Sequence, residues 1–182
     1  TPTPTNTPIS TPTPTNTPTS TPIPGNTGFL SPNNNAAVTR SAGDNNGFES
    51  NPVNAQADGG GVAQDVNSGS NNISSCTNSG KDKHNFSTYN ISLPAGKTVT
   101  GIEVRLDALV DSVGTNAPKM CVQLSWDGGT TWTAAKQTAT LTNAEATYVL
   151  GSTTDTWGRA WTRCRSCSKP SIASPRRPWA ST

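Results

Sequence analysis

The strongest constraint on the fold is a strict alternation in residues 98–110, TVTGIEVRLDALV. Apolar residues occupy every second position: Ile102, Val104, Leu106, Ala108 and Val110. The positions between them include Glu103, Arg105 and Asp107. Because successive side chains of a strand point to opposite faces, this pattern predicts a strand with one buried face and one solvated face.

The rest of the chain up to residue 162 also favours strands over helices. KMCVQLSW (119–126) places Met120, Val122, Leu124 and Trp126 on one face, and FSTYNISLPAGK (86–97) is typical of a strand that ends in a turn. Shorter candidate strands are residues 36–40, 62–66, 147–150 and 156–162, with Asn- and Gly-rich loops between them. We therefore predict an all-β domain over residues 29–162, β-sandwich or jelly-roll-like, with the strand order left open.

A Thr-Pro repeat precedes this domain. TPTPTNTPIS (1–10) is followed by TPTPTNTPTS (11–20) and by a decaying copy that ends at residue 28. Proline fixes φ and removes the amide donor, so neither a helix nor a sheet can propagate through the repeat. Residues 1–28 are predicted to be a disordered or polyproline-II linker that acts as a spacer. The alternative is a repeat that polymerises or carries adhesive glycans.

The segment SWDGGTTW (125–132) combines an acid, two glycines and two indoles. It matches the pattern S-x-D-x-G-x-T-W at Ser125, Asp127, Gly129, Thr131 and Trp132. This pattern resembles the Asp-box, a hairpin motif of sialidase propellers and secreted β domains. The resemblance implies a structural turn in which Asp127 accepts backbone N–H bonds, rather than a catalytic carboxylate. A sialidase propeller carries several such boxes, whereas this chain carries one.

Residues 75–162 as a whole resemble a β-sandwich module that bacterial extracellular proteins carry behind Thr-Pro linkers. The resemblance implies a secreted or cell-surface location and an adhesive, carbohydrate-associated or structural role. We expect a non-catalytic module that binds a polysaccharide or a cell-surface glycan. The alternative is a structural subunit of a surface layer or filament, self-associating through an unpaired sheet edge. The sequence predicts neither a nucleic-acid partner nor a membrane span.

Aromatic residues supply the candidate ligand platform, because indole faces stack on sugar rings. The candidates are Trp126, Trp157, Trp161 and Tyr89. The competing interpretation is that these rings fill the core of the domain.

Four cysteines and one histidine are the remaining candidates for chemistry. In a secreted domain, we expect a disulfide between Cys76 and Cys121. Cys164 and Cys167 form a C-x-x-C pair without the βαβ setting of a redox motif or the extra ligands of a zinc site. His84 is expected at the surface or at a sheet edge. No metal site or cofactor is predicted; calcium is the alternative for which the sequence offers oxygen ligands, at Asp44, Asn45, Asn46 and Asp58.

The last 20 residues differ in composition from everything before them. Residues 163–182 contain five cations and no acid, within a chain of net charge +2. They show no strand alternation and are predicted to be an irregular basic tail, out of frame or truncated. Such an ending would leave a sheet short of a strand. The rival interpretation is a basic tail that binds an anionic polymer.

Overall fold

The computed structural model describes residues 25–38, 46–66, 76, 82–94, 97–113, 117–161 and the backbone of 170–173. Within these residues there are seven strands and one short 3₁₀ helix, at Pro52–Gln56. The strands are β1 (Asn34–Val38), β2 (Lys83–Ser87), β3 (Ile102–Ala108), β4 (Cys121–Leu124), β5 (Lys136–Gln137), β6 (Ala146–Ser152) and β7 (Pro170–Ala173). The predicted all-β fold class is therefore confirmed.

Five of the strands form one antiparallel sheet in the order β1-β2-β7-β4-β5. β2 pairs with β1 through Ala37 and His84, and β4 pairs with β5 through Val122 and Lys136. Both faces of β2 and of β4 are largely covered, because most of their residues are buried. This sheet thus contributes the most deeply buried part of the fold.

The strand β7 corrects the prediction of an irregular tail for residues 170–173. Residues 170–173 pair with β2 on one side and with β4 on the other. Sequence patterning missed this strand because it is only four residues long and begins with Pro170, which lacks an amide donor. Proline is compatible with the first residue of a strand. The remainder of 163–182 lies outside the described residues, as do Cys164, Cys167 and residues 1–24 of the predicted linker.

The strands β3 and β6 form a separate two-stranded antiparallel sheet. Leu106 and Leu150, one on each strand, are buried and belong to the same hydrophobic cluster as Phe86 of β2 and Val122 of β4. Apolar side chains from both sheets therefore share one core. The sandwich architecture itself stays a prediction.

Three predicted strands differ from the structure, two of them for a visible backbone reason. The strand predicted for 86–97 ends at Ser87, and both Thr88 (φ 64°) and Asn90 (φ 52°) are left-handed, which breaks an extended chain. Trp157 (φ 56°) similarly turns the chain within 156–162. Residues 62–66 contribute one isolated bridge, between Gln64 and Ser50.

Candidate functional site

The turn that follows β4 is organised around the carboxylate of Asp127. One carboxylate oxygen, Oδ1, accepts the N–H groups of Thr130 and Thr131 at 3.1 and 2.8 Å and the hydroxyl of Ser125 at 2.9 Å. The other, Oδ2, accepts the Thr131 hydroxyl. Ser125 Oγ also accepts the Gly129 N–H at 2.8 Å. The predicted acceptance of backbone N–H bonds by Asp127 is therefore confirmed.

These hydrogen bonds favour the ionised form of the Asp127 carboxyl. The Thr131 hydroxyl, the Thr131 amide and the other donors lower the pKa of Asp127 from 3.8 to about 2. Gly128 (φ 78°) and Gly129 (φ 95°) supply the left-handed conformations that the turn needs. Beyond the turn, Thr133 donates its N–H to the Leu124 carbonyl at 2.9 Å, so the returning chain is held against β4. The carboxylate is thus fully engaged in fastening the turn.

Two of the four platform candidates lie in the core. Trp157 is 4% exposed and Trp161 is 7% exposed. The Trp157 indole donates to the Ile102 carbonyl at 2.9 Å, and the Trp161 indole donates to the Thr156 carbonyl at 2.7 Å. Their ring faces are therefore not offered to a ligand, which favours the interpretation of these two rings as core residues.

Trp126 keeps part of its surface accessible. It is half-buried, with its ring edge-to-face with Trp161 at a centroid distance of 5.9 Å. The exposed guanidinium of Arg159 lies 3.5 Å from the centre of the Trp126 ring, which is close stacking geometry. Trp132, at the far end of the Asp127 turn, is also half-buried. The turn is therefore flanked by two partly accessible indoles, one of them paired with a cation.

Tyr89 is the fourth platform candidate and packs against the main hydrophobic core. The residue is half-buried, and burial raises the pKa of its phenol far above the usual value. The structure therefore does not bring Trp126, Trp157, Trp161 and Tyr89 together as one exposed surface.

His84 is buried, which corrects the expectation of a surface position. It is 2% exposed on β2 and packs against the rings of Phe48 and Phe86. Its Nδ1 accepts the Phe48 N–H at 3.2 Å, and its Nε2 lies 2.9 Å from Asn35 Oδ1. A neutral ring that carries its proton on Nε2 satisfies both contacts.

Desolvation lowers the pKa of His84 from 6.5 to about 4. Gly47 (φ 70°) passes so close that an added Cβ would lie 2.8 Å from His84 Nδ1. In the sequence, Gly47 between Asn46 and Phe48 is the one signal of a close backbone approach at this site. The polar residues next to His84 in the sequence instead favour an exposed strand, which is why its burial was not predicted. Both ring nitrogens have hydrogen-bond partners within the protein, so His84 holds the fold together at this point.

The disulfide expected from the sequence is present between Cys76 and Cys121, with an S–S distance of 2.07 Å. Both cysteines are buried, and Ala135 packs against them. In the described ranges, no cluster of three or more His, Cys, Asp or Glu side chains could hold a metal ion. Of the oxygen ligands that the sequence offers to calcium, Asp44 and Asn45 lie outside these ranges, and Asp58 pairs with Arg105 at 3.3 Å.

An open cleft of about 740 Å³ runs along β3. Residues 27–32, 54–65 and 98–111 line its walls, and apolar surface predominates. Phe29 and Val62 are among the lining residues, yet they are 57% and 55% exposed. Apolar patches of this extent occur on monomeric proteins and often have a function.

Comparison with protein-family models, with curated proteins and with solved structures finds no match to this chain. In the part of the chain that the structure describes, no helix has the length and apolarity needed to cross a bilayer.

Proposed function

We propose that this chain is a non-catalytic extracellular module that attaches a protein to a polysaccharide or a cell-surface glycan. The observation that carries the proposal is the half-buried Trp126 with the exposed Arg159 guanidinium stacked on it, beside the Asp127 turn. The outer side of the stacked guanidinium and the accessible part of the indole offer the flat stacking surface and the hydrogen-bond donors that a sugar ring takes.

Two further observations support a binding role over a catalytic one. The Asp127 carboxylate accepts bonds from Ser125, Thr130 and Thr131, and both ring nitrogens of His84 have polar neighbours. Neither group is poised to exchange a proton with a substrate near neutral pH, since their pKa values lie at about 2 and about 4. The disulfide and the Thr-Pro repeat support an extracellular location.

The test is retention of the folded protein on insoluble polysaccharides, together with binding to a glycan array. We expect Trp126→Ala and Arg159→Ala to weaken retention at least tenfold, on the scale of a lost stacking contact of about 1.4 kcal/mol. Lys119→Ala is the matched control for Arg159→Ala, because Lys119 is also exposed but is not stacked on Trp126. Failure of the folded wild-type protein to bind any glycan would refute the proposal.

A structural subunit of a surface layer or filament is the second candidate. The specific observation in its favour is the two-stranded sheet, in which β3 pairs only with β6 among the described strands. A strand edge of this kind can take a strand from another chain.

A further inference from the structure

The hydrogen bonds around β3 show which backbone groups point toward β6. The Ile102 N–H donates to the Asp155 carbonyl and the Val110 N–H donates to the Thr142 carbonyl, both at 2.9 Å. The Ile102 carbonyl accepts from the Trp157 indole on the same side. Because backbone groups alternate along a strand, the even-numbered residues of β3 present their N–H and C=O groups to β6.

The odd-numbered residues of β3 therefore present their backbone groups to the opposite edge. Glu103, Arg105 and Asp107 are the residues in question, and among the described strands β3 has no partner other than β6. The open cleft lies along this edge, since residues from both faces of β3 line it without a break from 98 to 111. A second strand thus has both unpaired backbone groups to bind and space in which to approach.

The charges on this strand favour one particular partner. Glu103, Arg105 and Asp107 alternate in sign and are exposed on the solvated face. We propose that the β3 edge binds β3 of a second copy of this chain, antiparallel, around a two-fold axis at Val104. Glu103 of each copy then lies opposite Arg105 of the other copy, so that the dimer contains two Glu–Arg pairs. Both are at hydrogen-bonded positions of the ladder.

Two other registers are less favourable. An axis at Arg105 would set Arg105 against its own copy and Glu103 against Asp107, which are like charges. An axis at Leu106 would pair Arg105 with Asp107 of the second copy but would set Glu103 against Leu109, which gives Glu103 no opposite charge. The register at Val104 is the one that gives Glu103 an opposite charge.

Apolar contacts accompany this pairing on the inner face. Ile102 lies opposite Leu106 of the second copy, and the two apolar faces become continuous. The pairing also covers part of the exposed apolar lining of the cleft, which includes Leu109 at 40% exposure. The ion pair between Arg105 and Asp58 crosses the cleft but is exposed, so it opposes the pairing only weakly.

This inference rests on the second candidate function and is independent of glycan binding. It is tested with Glu103→Arg and Arg105→Glu in the full chain, by light scattering and analytical ultracentrifugation from micromolar to millimolar concentration. Each variant alone sets like charges opposite each other, and we expect dimerisation to weaken about tenfold or more. Mixing the two variants restores Glu–Arg pairs at both positions, so a heterodimer forms.

Lys119→Glu is the matched control, because it changes a charge at an exposed site outside β3 and should dimerise like the wild type. A second measurement needs no variant: on dimerisation, the amides of Glu103, Arg105 and Asp107 gain protection from hydrogen exchange, whereas those of Val104 and Leu106 are protected throughout. Folding of each variant is checked by circular dichroism.

Four outcomes overturn the inference. They are a wild-type protein that stays monomeric at all concentrations, single variants that dimerise normally, a mixture that stays monomeric, and a monomer whose cleft instead takes up an apolar dye. Normal dimerisation of Glu103→Arg would indicate the register at Leu106. Retention on polysaccharides is measured on the same samples, so that loss of dimers and loss of glycan binding are told apart.

Discussion

The indole N–H of Trp157 donates to the carbonyl oxygen of Ile102 at 2.9 Å, and so fixes the chain after β6 onto the start of β3. Gly151 of β6 lies against the same carbonyl: an added Cβ would stand 2.1 Å from the Ile102 oxygen and 2.8 Å from the Trp157 indole nitrogen. One backbone oxygen therefore organises the junction of the two-stranded sheet.

Replacing Gly151 with alanine should strongly destabilise this junction. Gly151 has φ 88°, and the clash of the new Cβ is with backbone, which cannot rotate away. Gly128→Ala is the matched control, since Gly128 has φ 78° but no atom within 4 Å of an added Cβ. We expect the control to lose about 1–2 kcal/mol of unfolding free energy and Gly151→Ala to lose clearly more. Urea denaturation measures both, and equal losses would contradict the proposed contact.

Acidification should weaken the Asp127 turn in a defined pH window. Because the folded-state pKa is lowered to about 2, the carboxylate is favoured in the folded protein. Its contribution to stability is complete above the unfolded pKa, near 4, and is lost as the pH falls toward 2. Thr131→Val removes the largest cause of the shift, so we expect a higher pKa for Asp127 by NMR titration. An unchanged pKa in this variant would show that the Thr131 hydroxyl does not hold the carboxylate.

On acidification, the stability loss that is due to His84 should begin at a higher pH than the loss that is due to Asp127. The folded-state pKa of about 4 lies below the ordinary value of 6.5, so the unfolded chain binds the proton more readily. Above pH 6.5 there is no effect, and between pH 6.5 and 4 the unfolding free energy falls by about 3 kcal/mol. The chain has a single histidine, so its NMR titration is unambiguous. A measured pKa near 6.5 would contradict the buried position.

Removing the Cys76–Cys121 disulfide should lower stability by up to about 4 kcal/mol, because the bond closes a loop with a sequence separation of 45. The double variant Cys76→Ala, Cys121→Ala avoids leaving one buried thiol. Its urea midpoint is compared with that of the wild type in oxidising buffer. Added reductant should lower the midpoint of the wild type and leave that of the variant nearly unchanged. A reductant-sensitive variant would mean that other cysteines stabilise the fold.

The sequence predicted those features that depend on local pattern. The alternation of apolar and polar residues predicted β3, because successive side chains of a strand point to opposite faces. The glycines after Asp127 predicted a turn. Met120, Val122 and Leu124 are buried as their spacing indicated. These features need no knowledge of which other strands lie nearby.

The features that depend on distant partners could not be predicted in this way. His84 lies in a polar stretch, and only the approach of Phe48 and Asn35 buries it and satisfies its ring. Trp157 and Trp161 carry indoles that could equally stack on a ligand, until their N–H groups are seen to meet carbonyl oxygens. Composition alone does not distinguish a ligand platform from a core.

The place of β7 between β2 and β4 has a consequence for biosynthesis. Lys83 and Cys121 both lie opposite Ala173, which leaves the ribosome long after either of them. Until then β1 and β2 form one half of this sheet and β4 and β5 form the other. The edges of β2 and β4 that β7 later covers carry unpaired backbone groups, and such edges pair with other chains. Wrong pairing of these edges is therefore most favourable in the interval between synthesis of β4 and synthesis of β7.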